Sequence, residues 1–112
     1  MAFSKKNSFD ARQTRIAALA NVLSHPARIA ILETLAARKS CICGEIVEVL
    51  PLSQSTVSQH LKELREIGLI KGEIDGPRSC YCIDLKKWAE MVLDMQTFFD
   101  EVQTSLTNSE CC

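Results

Sequence analysis

No stretch of about 18 apolar residues occurs in the chain, so no segment is read as crossing a membrane. Glycine is scarce, at four residues, and none forms the glycine-rich loop that cradles a phosphate. There is no Ser/His/Asp set and no pair of carboxylates placed for acid–base work, so an enzyme is not expected. An excess of one charge is missing too: 13 basic against 14 acidic residues leave a net charge of −1. Nucleic-acid binding must therefore come from a local patch rather than a global field. The polar, lysine-bearing segment 1–9 lacks the apolar stretch of a secretory signal, which points to the cytoplasm. In a reducing compartment the six cysteines are expected as thiols for metal or redox chemistry, not as a disulfide framework. Repeats and low-complexity segments are absent.

What is present is one small domain. Hydrophobic residues make up 46% of 112, enough for a core, but a domain this small buries its apolar surface poorly alone. That favours a homodimer. Asp10 is placed to cap a first helix, with Ile16, Leu19, Ala20 and Leu23 at helical spacing. Pro26 suits the first turn of a second helix, whose apolar side is Ile29, Ile31, Leu32 and Leu35. A short third helix is expected after Cys43, with Ile46, Val47 and Leu50 apolar and Pro51 stopping it.

Ser53 is a good N-cap for a fourth helix, Gln54 to about Ile67, and Gly68 a good C-terminal stop. Val57, Leu61, Leu64 and Ile67 form one stripe on it, and polar residues fill the other face. The period then changes. Segments 69–74 and 79–84 read as two strands about the turn Asp75-Gly76-Pro77-Arg78. A last helix starts near Leu85, with Trp88, Met91, Val92, Met95, Phe98, Phe99, Val102 and Leu106 on one broad apolar face. The expected class is mostly α: a winged helix-turn-helix in the order helix, helix, helix, helix, β-hairpin, helix. Its domain is 10–106, between a flexible N-terminal tail at 1–9 and a C-terminal tail at 107–112.

A short helix, a tight turn and a second amphipathic helix make a helix-turn-helix. The fourth helix would turn Gln54, Ser55, Thr56, Ser58 and Gln59 outward, side chains able to bond base edges and phosphates at a helix N-terminus. His60, Lys62 and Arg65 would add backbone contacts, and Arg78 at the hairpin tip would reach a neighbouring groove or phosphate.

The run from Leu52 to Ile70, LSQSTVSQHLKELREIGLI, resembles the recognition helix of the ArsR/SmtB family of metal-responsive repressors. So does LSHPARIAIL, from Leu23 to Leu32; the resemblance spans roughly 16–85. It implies a homodimer that binds double-stranded operator DNA and lets go when its effector binds. It also implies dimerisation through the first and last helices, in agreement with the apolar excess on both.

The run Ser40-Cys41-Ile42-Cys43-Gly44-Glu45 is similar to the family's Cys-x-Cys thiolate motif. Inside a helix, residues two apart point to nearly opposite sides, so both can hold one ion only if the first lies outside it. Cys41 before the helix and Cys43 in its first turn would satisfy this, and a helix N-terminus favours thiolate. Soft thiolates select As(III), Sb(III), Cd(II) and Pb(II) over hard ions. The arsenic-responsive form of the motif carries a third cysteine where this chain has Ile46. Cys111 and Cys112, on a tail of ~6 residues reaching ~20 Å, are candidates for the missing metal ligand. Cys80 and Cys82 alternate with Tyr81 and Ile83; if the latter face the core, both sulfurs are exposed on the other side, as a second dithiol site or mere surface. Zinc or nickel sensing is not expected, because the last helix has no histidine.

The leading expectation is a repressor released by As(III) or Sb(III), with no organic cofactor. The alternatives are a Cd(II)/Pb(II)-responsive repressor, a thiol redox or persulfide sensor, and a metal-sequestering thiol protein.

Overall fold

The computed structural model describes residues 8–38, 42–43 (backbone only), 50–74 and 79–108. Four helices and three short strands follow in the order α1 (Ala11–Val22), α2 (Pro26–Arg38), β1 (Ile42–Cys43), α3 (Gln54–Glu66), β2 (Ile70–Glu73), β3 (Cys80–Ile83) and α4 (Leu85–Thr107). The expected helix after Cys43, the turn at 75–78, and Cys41, Cys111 and Cys112 fall outside the described residues.

Local chemistry sets the helix ends. Asp10 closes a capping box on α1: its carboxylate accepts from the Gln13 N–H at 2.7 Å, and Gln13 Oε1 accepts from the Asp10 N–H at 3.0 Å. Pro26 opens α2 in the first turn, where a missing N–H costs nothing. On α1 the buried residues are Ile16, Leu19 and Val22, so Val22 takes the inward place expected of Ala20, which is exposed. Ile29 on α2 is likewise exposed. Asp84, unforeseen as a cap, accepts from the Lys87 N–H at 3.1 Å and starts α4.

The sheet is antiparallel in the order β1-β3-β2, so β3 is the central strand. Cys43 thus stands in a strand, not in the first turn of a helix as the sequence suggested; its backbone pairs with β3, with Ile42 opposite Tyr81 and Cys43 opposite Cys80. On the other side, β2 pairs Ile70 with Ile83 and Gly72 with Tyr81. Gly72 is required there. Its φ is +113°, and a Cβ would sit 2.2 Å from the Cys80 carbonyl oxygen.

One core joins all the layers. Ile31, Leu32 and Leu35 of α2 meet Val57, Leu61 and Leu64 of α3, then Leu69, Ile70 of β2, Tyr81 of β3 and Met91 of α4. Ile31, Leu64, Leu69 and Ile70 are fully enclosed. The last helix closes this core with Met91, while Phe98, Phe99, Val102 and Leu106 remain exposed. Arg15 of α1 grips Asp94 of α4 with two hydrogen bonds, at 2.5 and 3.0 Å. That pairing raises the Arg15 pKa and lowers that of Asp94, chiefly through the side-chain hydrogen bond.

Candidate nucleic-acid interface

The outward-facing helix is α3, and the reasons lie in its residues. Ser53 caps it: Oγ accepts from the Thr56 N–H at 3.3 Å and donates to Thr56 Oγ1 at 2.9 Å. At the other end Gly68, with φ +92°, lets its own N–H reach the Arg65 carbonyl, and that of Leu69 reach Leu64, both at 3.0 Å. This is a Schellman closure with its usual apolar partner, since Leu64 and Leu69 are both enclosed. Val57, Leu61 and Leu64 bury one side of α3. Gln54, Ser55, Thr56, Gln59 and Lys62 are exposed on the other, and Ser58 is half-buried. Arg65 is exposed as well and donates to the Gly72 carbonyl at 3.4 Å, joining the helix to the wing.

His60 is placed differently from its neighbours. It is half-buried, its Nδ1 accepts from Arg28 Nε at 3.0 Å, and its ring lies 5.5 Å from that of His25. Burial, then the nearby Arg28 charge, then His25, lower its pKa and hold it neutral. Arg28, 6% exposed, also donates to the Val22 carbonyl at 3.2 Å and pairs with Glu63. One guanidinium thus ties the end of α1 to the middle of α3 and fixes how the polar face of α3 is aimed. Sequence reasoning missed this role for Arg28. A signal for His60 was available: it lies three residues after Val57 and four before Leu64, on the flank of the buried stripe.

The cysteines are arranged as follows. Cys80 and Cys82 are half-buried, not exposed as the alternation suggested, whereas Tyr81 is buried and Ile83 packs on the core as expected. Cys80 is disulfide-bonded, against the expectation of thiols throughout; Cys82 keeps its thiol. Among the described residues, no group of three or more His, Cys, Asp or Glu is arranged to hold a metal ion. No helix among them is long and apolar enough to cross a membrane.

A helix-turn-helix domain model matches residues 23–73, which contain α2, β1, α3 and β2. The HTH-type transcriptional regulator YgaV of Escherichia coli (strain K12) is 40% identical over 67 residues, covering 60% of this chain and 68% of that protein. The biofilm growth-associated repressor of Agrobacterium fabrum is 30% identical over 92 residues, covering 82% of this chain and 78% of its own length. The HTH-type transcriptional repressor SmtB of Mycobacterium tuberculosis is 38% identical over 76 residues, 68% of this chain and 56% of that protein.

The chain belongs to the ArsR/SmtB family.

Its fold is that of an ArsR-like transcriptional regulator from Rhodococcus sp. RHA1, with a TM-score of 0.66 over 86% of this chain and 90% of that one, at 19% identity. As an ArsR/SmtB protein it is a DNA-binding transcriptional repressor and not an enzyme. Within the winged helix-turn-helix fold β2 and β3 are the wing.

Proposed function

We propose that this repressor acts as a homodimer on double-stranded operator DNA and is released by a soft thiophilic ion, As(III) or Sb(III), bound through Cys41 and Cys43. The observation that carries the DNA half is the division of α3, with its apolar side sunk in the core and its N-terminal Gln54, Ser55, Thr56 and Gln59 exposed. These residues, with Ser58, take the base and phosphate contacts; Lys62, Arg78 and the edge of His60 add backbone ones. The exposed apolar length of α4 supports the dimer, since a patch of Phe98, Phe99, Val102 and Leu106 on one face is not left in water.

For the effector, the donor chemistry is sulfur. The Nδ1 of His60 accepts from Arg28 Nε, which takes that nitrogen out of reach of zinc or nickel. Cys43 lies on the extended backbone of β1, so the Cys41/Cys43 pair is proposed without the helix start that the sequence suggested. Cys111 or Cys112 from the tail would supply the further thiolate. Ion binding at β1 acts on the strand that pairs with the wing, and differential affinity for two dimer geometries is all the coupling requires.

The test is a titration of the protein–operator complex with As(III), Sb(III), Cd(II), Pb(II) and Zn(II) under reducing conditions. Cys41→Ser and Cys43→Ser are each expected to keep operator affinity and lose release by As(III). If the double variant leaves DNA at the same arsenite concentration as the parent, this effector site is wrong.

A further inference from the structure

The β1–β3 register places Cys43 directly across from Cys80. Opposed residues of an antiparallel pair have Cα atoms about 4.5 or 5.5 Å apart, depending on the pair type. Both spacings fall in the roughly 4.4–6.8 Å window a disulfide needs. Independently, Cys80 is disulfide-bonded, while Cys82, whose partner on β2 is Lys71, keeps its thiol. On its other side Cys80 faces Glu73, which offers no sulfur.

We propose that Cys43 and Cys80 are a thiol–disulfide pair whose oxidation staples β1 to the wing and withdraws Cys43 from soft-ion chemistry. The second clause rests on the effector reading given above; the first does not. The oxidant is a low-molecular-weight disulfide, RSSR. One protein thiolate attacks it, forming a mixed disulfide and expelling RS⁻; the second thiolate then attacks that bond and expels the other RS⁻. Two protein thiols and RSSR become one protein disulfide and two RSH, with two electrons passing from the protein to the small disulfide. A disulfide sulfur carries no thiolate charge, so the oxidised pair offers an arsenite ion nothing to replace. The bond also closes a ring around the whole of α3, so it restricts the unfolded chain strongly.

The test uses the full chain, first reduced, then freed of metals with a chelator and treated with oxidised glutathione. Peptide mapping by mass spectrometry is expected to give a Cys43–Cys80 crosslink as the main product. The melting temperature is expected to rise by roughly 10 °C and to fall back with dithiothreitol. Cys80→Ser and, separately, Cys43→Ser should show neither the crosslink nor the rise. A main product joining Cys41 to Cys82, or Cys111 to Cys112, would overturn the pair, as would a rise that persists in Cys80→Ser. The oxidised protein should also stay on its operator at an arsenite concentration that releases the reduced form. If it is released equally well with the Cys43–Cys80 crosslink mapped, the staple stands and Cys43 is not the effector ligand.

Discussion

Helix α3 and the last helix are both amphipathic, yet they solve the problem of an apolar face in opposite ways. On α3 the apolar residues form one narrow stripe, Val57, Leu61 and Leu64, and this chain covers all of it. On α4 the apolar residues spread over 23 positions, of which Met91 alone is buried, with Trp88 and Met95 packed against the core. Phe99 is 59% exposed and Leu106 62%, against 0% for Leu64. The first helix is finished by its own fold, and the second keeps an apolar face that this chain leaves exposed. Beside α4 an open apolar groove of about 1040 Å³, lined by Leu32, Ile83, Trp88, Met95 and Phe99 among others, extends the same unfilled face.

That contrast can be broken most severely at Leu64. Leu64→Ala removes a fully enclosed side chain where α3 meets α2 and the wing, so unfolding in denaturant should show a loss of about 2–5 kcal/mol. An equal midpoint for variant and parent would mean that α3 is not seated as described. Phe99→Glu should act on the other side of the comparison. Folding of the single chain should change by no more than about 0.5 kcal/mol, as for most exposed sites, while light scattering shows a shift from dimer to monomer at micromolar concentration. A variant that stays dimeric would move the interface off this part of α4. The smallest effect concerns the polar face of α3. Gln59→Ala, whose amide makes a 3.4 Å bond to Glu63, should leave stability alone and weaken specific operator binding by ~1–3 kcal/mol in a gel-shift titration. Unchanged affinity there would remove Gln59 from the base contacts.

The parts of the fold visible in the sequence are those governed by short-range rules. Ser53 and Gly68 bracket α3 because capping depends on residues within one turn, and the hairpin follows from a change of period around 75–78. The strand β1 could not be read in this way. Two residues have no period, and Cys43 is extended because β3, far along the chain, pairs with it. The same holds for the site. The exposed amides of α3 were legible from the Val57–Leu61–Leu64 stripe, but Arg28 looked like an ordinary polar residue in the first turn of α2. Its burial arises from His60, Glu63 and the Val22 carbonyl, three partners on two other helices. Cys80 as a partner for Cys43 was hidden for a related reason: cysteine spacing gives no register.

The place of β1 beside the central strand also sets an order of events during synthesis. The contacts of α2 with α3 join neighbouring parts of the chain and can form early, whereas β1 has no ladder until residue 80 has been made. Until then the core that seats α3 also lacks Tyr81. Opening of the folded protein should retrace the path, with amide protons of β1 exchanging with solvent ahead of those in the middle of α3.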